Sequence, residues 1–139
     1  MDFETVSAEE FGASLRGLGI NLLVRDVRTS AAFLQTVFGL GVHRLSDDFA
    51  IIAYGTQVFQ LHSDGTYAGH PLQELLPENP PRGRGVQIHL FDTDPDEAVA
   101  KAEDAGGMVL APPKAKPHGL VEAFILDPDG YCWVVSRPK

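Results

Sequence analysis

Two histidines in this chain each follow a glutamine by two residues: Gln60 with His62, and Gln87 with His89. Successive side chains of a β-strand point to opposite faces, so each pair lies on one face of its strand. Imidazole and amide side by side can do two kinds of chemistry. Two ring nitrogens and two amide oxygens can ligate a divalent ion, which then polarises a substrate oxygen. Alternatively, an amide gives a polar ligand both a donor and an acceptor, and the rings stack on a planar one. The plainer possibility is that both histidines line a wet groove or bond to a neighbouring strand. Alternation adds Val58 to the first pair and Phe91 to the second. Asn21 and Leu23 join from an earlier strand and Cys132 from the last one. Cys132 has no fixed basic partner to lower its pKa, so it reads as a structural thiol. His43 reads as surface, and His70 and His118 lie in loops. No nucleophile–base–acid triad and no phosphate-cradling glycine loop is found.

The elements that must position these residues occur twice. Residues 20–42 and 88–110 share a pattern of apolar strand, Asp-containing turn, helix, glycine stop and second strand. Asp26 and Asp94, Gly39 and Gly107, and Val42 and Leu110 are each 68 residues apart. A repeat at constant offset fixes the architecture before any site is considered. In the first copy Thr29 and Ser30 are candidate caps. Phe33, Leu34, Val37 and Phe38 form the apolar stripe, and Gly39 takes the left-handed ending. Strands follow at Val42–Leu45, Phe49–Tyr54 and Gln57–His62. In the second copy Asp94-Pro95-Asp96-Glu97 is a helix start, with Ala98, Val99, Ala102 and Ala105 inward and Gly106-Gly107 as the stop. Val86–Phe91, Val109–Ala111, Leu120–Leu126 and Tyr131–Ser136 read as strands, residues 112–119 as a loop and Asp127-Pro-Asp-Gly130 as a turn. Alternation places Trp133 on the helix side, opposite Cys132.

The fold class is therefore α+β: two tandem βαβββ modules, whose helix-free sheet faces are expected around a concave mixed-sheet cleft. Residues 1–139 form one domain, with module one at 19–62, a proline-rich linker at 63–84 and module two at 85–137. An N-terminal appendage, 1–18, carries a helix capped by Ser7 and Glu10.

This pattern resembles the vicinal-oxygen-chelate superfamily, which includes glyoxalase I, extradiol dioxygenases and the bleomycin-resistance proteins. The likeness is carried by Leu22-Leu-Val-Arg-Asp26, Phe38-Gly-Leu-Gly41, Asp94-Pro-Asp96, Ala105-Gly-Gly107 and Phe124-Ile-Leu-Asp-Pro-Asp-Gly130. It implies a divalent metal held by four side chains, one each from the first and last strand of each module. Those positions here hold Gly19, Gln60, Gln87 and Val134. Two neutral amides and two positions without a donor do not repay dehydration of a divalent ion, so no metal or other cofactor is expected. The fallback is a shifted site made from Gln60, His62, Gln87 and His89, taking zinc, nickel, manganese or iron.

Eleven basic against nineteen acidic residues give a net charge of −8, which argues against nucleic-acid and membrane partners. One cysteine and no basic-apolar leader fit a cytoplasmic protein. Two functions remain. The first is a metal-free protein that binds a small, antibiotic-like molecule through Asn21, Leu23, Val58, Gln60, His62, Gln87, His89, Phe91, Cys132 and Val134. The alternative is a metal-dependent lyase, isomerase or dioxygenase. The resemblance further implies a homodimer whose clefts are completed across a two-fold interface.

Overall fold

The computed structural model describes residues 1–139. Helix α1 (Ala8–Ser14) precedes module one, which consists of β1 (Asn21–Val24), α2 (Val27–Phe38), β2 (Gly41–His43), β3 (Phe49–Tyr54) and β4 (Gln57–Ser63). The linker holds two 3-10 turns, Asp64–Tyr67 and Pro71–Leu75. Module two consists of β5 (Gln87–Phe91), α3 (Pro95–Ala102), β6 (Met108–Ala115), β7 (Leu120–Leu126) and β8 (Cys132–Pro138). No helix is long and apolar enough to cross a membrane.

Local chemistry accounts for most boundaries. Asp26 caps α2, its carboxylate accepting from the Thr29 N–H at 3.0 Å. The cap is thus Asp26 rather than Thr29 or Ser30. Ser30 is buried and gives its hydroxyl to Asp129 of the other module, at 3.1 Å. Gly39, at φ 72°, ends the helix in the left-handed conformation and donates back to Gln35. Asp94 caps α3 with Pro95 at its first position. That helix stops at Ala102, sooner than Gly106-Gly107 implies, because residues 103–106 tighten into a turn closed by the Gly107 N–H on the Ala102 carbonyl, 2.9 Å.

Most strand limits fall within two residues of expectation, and two of the differences have a visible cause. Strand β2 begins at Gly41 and stops at His43, because Arg44 adopts φ 54° to meet Glu4 and Val6 of the appendage. Strand β6 runs through Pro112-Pro113, expected as loop. It is an edge strand with two register shifts against β7, and edges and bulges are where a sheet tolerates proline.

Each module forms a four-stranded mixed sheet, in the orders β1-β4-β3-β2 and β5-β8-β7-β6. The parallel pairs β1–β4 and β5–β8 place Asn21 opposite Gln60 and His89 opposite Val134. Asn21 and His89 are 68 residues apart, so Gln60 and Val134 are counterparts, as are His62 and Ser136.

The helix sides of both sheets contribute to a single core. Leu22, Ile52 and Leu61 of module one join Leu90, Ile125 and Val135 of module two in one buried cluster with α2 and α3. The rings of Phe59 and Trp133, which are themselves counterparts, meet at 5.8 Å. Burying a Leu- or Ile-sized side chain contributes about 2 kcal/mol, so this shared core is what joins the modules. Each sheet consequently turns its helix-free face outward, away from the other. Residues expected along one hollow are divided between two outer faces of the chain.

Candidate functional site

On the outer face of module one, cross-strand pairing sets side chains in rows. Asn21, Gln60, Ile51 and His43 form one; Leu23, His62 and Phe49 form the next. Val58 begins a third with Ala53. The His62 Nε2 lies 3.1 Å from the Gln60 Oε1, and the ring packs edge-on against Phe49 at 5.2 Å and tilted against Tyr67 at 5.8 Å. This partial burial disfavours the charged imidazolium and holds its pKa below the usual histidine range. Partial burial thus favours the neutral imidazole of His62, a hydrogen-bonding and stacking group.

Part of this face, around Ile51, is covered by the chain itself. Val6 and Phe11 of the appendage are buried on Ile51, with Phe3, Phe49 and Val58 packed around them. Phe3 touches both Phe11, at 6.0 Å, and His43, at 5.4 Å. Glu4 accepts from the Arg44 N–H at 2.8 Å and lies 3.6 Å from the His43 Nδ1. His43, expected as bare surface, is thus a contact of the appendage. The open part of the face is the β1–β4 side with Asn21, Gln60 and His62.

The outer face of module two has three rows: Gln87, Cys132, Leu126 and Met108; His89, Val134, Phe124 and Ala111; Phe91, Ser136, Glu122 and Lys114. The His89 Nε2 is 3.3 Å from the Gln87 Oε1, so the amide–imidazole pair of module one recurs here. His89 also stacks on Phe91, with centroids 5.4 Å apart and planes at 21°. Phe91 is 55% exposed, which leaves an uncovered aromatic platform. Cys132 is half-buried, and burial together with the Asp127 carboxylate pushes its thiol pKa up, which leaves it a poor nucleophile.

Geometry divides the candidate residues in two. Asn21, Leu23, Val58, Gln60 and His62 are together on one sheet; Gln87, His89, Phe91, Cys132 and Val134 are together on the other. The two histidine–glutamine pairs do not converge within one chain, and no group of three or more His, Cys, Asp or Glu side chains is placed to hold a metal.

The donor set at the four chelate positions does not fit a divalent ion. Gly19 has no side chain, Gln60 and Gln87 are on different sheets, and Val134 is aliphatic and fully buried. Two surface concavities lie elsewhere, one between α2 and α3 and one beside Arg82. Neither takes in a residue of the outer faces.

Four groups near these faces escaped sequence reasoning: Ser136, Glu122, Tyr67 and the appendage aromatics. Ser136 was within reach, since the alternation that picks out Cys132 and Val134 arrives at it two residues later. Glu122 is an acid inside the apolar strand Leu120-Val-Glu-Ala-Phe-Ile-Leu126, a signal in its own right. Tyr67 and Phe3 reach the site only through tertiary packing.

A family model described as the glyoxalase/bleomycin resistance protein/dioxygenase superfamily matches residues 18–135. The structure is similar to that of a glyoxalase/bleomycin resistance protein/dioxygenase family enzyme from Burkholderia phytofirmans PsJN. The TM-score is 0.72 at 20% identity, covering 86% of this chain and 96% of that one. It is similar also to a glyoxalase-related enzyme from Fulvimarina pelagi, with TM-score 0.68, 20% identity and 88% of each chain covered. TioX from Micromonospora sp. ML1 gives TM-score 0.62 at 20% identity, over 89% of this chain and 97% of that one. No curated protein matches the sequence. Identities at this level carry the fold and leave the chemistry to the residues.

Proposed function

The chain belongs to the glyoxalase/bleomycin resistance protein/dioxygenase superfamily, and from that premise we propose that it is a metal-free small-molecule binding protein whose site is completed by a second copy of the chain. The observation that carries this reading is the state of the chelate positions. Val134 is 0% exposed, and its module-one counterpart is an amide, so neither last strand supplies an anionic ligand or a carboxylate base. What each module does present outward is an amide–imidazole pair, and in module two an exposed aromatic stack. Those groups suit a polar or planar ligand held by hydrogen bonds and stacking.

The need for a second copy follows from the division of the site. One face alone is a shallow half-site, and a face rich in exposed apolar groups (Phe91, Met108 and, on the adjoining edge, Leu110) favours a protein partner. Pairing the module-one face of one chain with the module-two face of another encloses a hollow lined by both histidine–glutamine pairs. Light scattering at micromolar concentration is expected to return a dimer; a monomer overturns the completed site.

Metal content measured after purification without chelator, followed by thermal shift, tests the rest. The expected result is no stoichiometric metal and no shift with nickel, zinc, manganese or iron(II). A planar aromatic ligand at a hundred times its Kd is expected to stabilise by about 2.7 kcal/mol, roughly 10 °C for a domain of this size. Stoichiometric metal that disappears with His62→Ala would instead place the chain among the metal-dependent lyases, isomerases or dioxygenases.

A further inference from the structure

We propose that the outer face of module two recognises a cation: Glu122 takes the protonated nitrogen of a ligand whose aromatic ring lies on the His89–Phe91 stack. The inference rests on the small-molecule reading above and adds the ligand's chemical class to it.

Glu122 points to the same side as Phe91 and Ser136, in the third row of that face. It is 7% exposed, which is unusual for a carboxylate without a full set of partners. The only side-chain nitrogen within ion-pair distance of it is the His118 Nε2 at 3.4 Å, from an exposed loop. Lys114 is directly opposite on β6, yet forms no ion pair with it, and the Lys116 ammonium is placed over the Phe124 ring at 5.6 Å. Next to Glu122 in the row, the Ser136 hydroxyl is fully buried and has no hydrogen-bond partner. An under-partnered, largely buried carboxylate beside an orphaned buried hydroxyl is an expensive arrangement. A ligand ammonium gives the carboxylate the charge-assisted bonds it lacks. An anionic ligand would be repelled by the same group.

Spacing fixes the shape of that ligand. Phe91 and Glu122 are separated by two strand intervals, roughly 10 Å between backbones. The cation must therefore be held on an arm from the ring, or at the far end of an extended ring system.

The test uses two fluorescent probes with one ring system and arm, N-dansylcadaverine and its N-acetyl derivative, in which a neutral acetamide replaces the terminal ammonium. The full-length protein is expected to bind the ammonium probe at least tenfold more tightly. Glu122→Gln is expected to abolish that ratio while leaving the acetylated probe's Kd within twofold. His118→Ala, in an exposed loop, removes the competing partner and is expected to raise the ratio whether or not the Gln variant folds. Equal binding of the two probes to the wild type overturns the cation site and leaves the small-molecule reading standing. A ratio that survives Glu122→Gln, or that does not rise with His118→Ala, also overturns it. Absence of binding by either probe brings down both readings together.

Discussion

Asp129→Ala is expected to lower the free energy of unfolding by about 3 kcal/mol, read as a fall in the urea midpoint at nearly unchanged slope. Asp129 sits in the turn between β7 and β8, yet its carboxylate serves the other module. It accepts from the Arg25 N–H at 3.2 Å, from the Arg25 guanidinium Nε at 3.0 Å and from the Ser30 hydroxyl at 3.1 Å. Its backbone carbonyl takes the Arg82 N–H of the linker at 2.9 Å. Asp129 is 2% exposed, so truncation strands a buried hydroxyl and a main-chain donor where water does not readily replace the acceptor. Arg25 is partly solvated, and its ion pair therefore supplies the smaller share. Ser30→Ala should cost little once Asp129 is gone, because the two act through one contact. Additive effects, or a loss under about 0.5 kcal/mol for Asp129→Ala, would show that the clasp does not hold the modules together.

That clasp marks how far the sequence could be read. The repeat, the Asp26–Asp94 correspondence, the glycine stops and the Asp-Pro-Asp-Gly turn were legible because each is a local signal, decided by backbone and capping chemistry within a few residues. Which faces of the two sheets pack together is decided between residues far apart in the chain, such as Phe59 and Trp133. Periodicity says that β4 has an apolar side; it does not say whose side it meets. For the same reason the appendage was legible as a helix but not as a cover over Ile51. Arg82 shows the limit most plainly. It lies within the proline-rich linker, yet it is 3% exposed, forked onto Asp64 at 2.7 and 2.8 Å and bonded to the Leu23 carbonyl at 3.1 Å. No pattern in residues 63–84 announces that.

The candidate site divides along the same line. Alternation on β4 and β5 put Gln60 with His62 and Gln87 with His89, and each pair is within hydrogen-bond distance. Their separation onto two outer faces is a tertiary fact. Sequence could name which residues share a sheet face but not how far apart the two faces lie.

Lowering the pH from about 7 to about 4 is expected to strengthen the fold through Asp127, against the usual behaviour of carboxylates. Asp127 is 6% exposed, and burial raises its pKa to about 6, opposed by the Trp133 indole and the Tyr131 N–H donating to it. The indole Nε1 is 2.9 Å from one oxygen, and the Asp129 and Tyr131 N–H groups are 2.9 and 3.0 Å from the other. A folded pKa above the unfolded value of 3.8 means that the folded chain binds the proton more tightly. The resulting stabilisation is fully present below about pH 4 and is lost as pH rises through about 6. A proton held about a hundredfold more tightly in the folded chain corresponds to about 3 kcal/mol. Asp127→Asn cannot titrate, and its amide offers only one acceptor oxygen to three donors. The variant's stability relative to wild type should therefore be lowest at pH 4 and rise towards pH 7. Trp133 is the only tryptophan of the chain, so its emission in the folded protein should titrate near pH 6 and become flat in the variant. A relative stability that is constant or falls with pH would mean that Asp127 is ionised throughout. The outcome bears on function as well, because a carboxylate of raised pKa in a cleft is a candidate acid or base. Asp127 bonds Trp133 on the core side of the sheet and accepts from no residue of either outer face, so its raised pKa belongs to a buried turn that the fold needs.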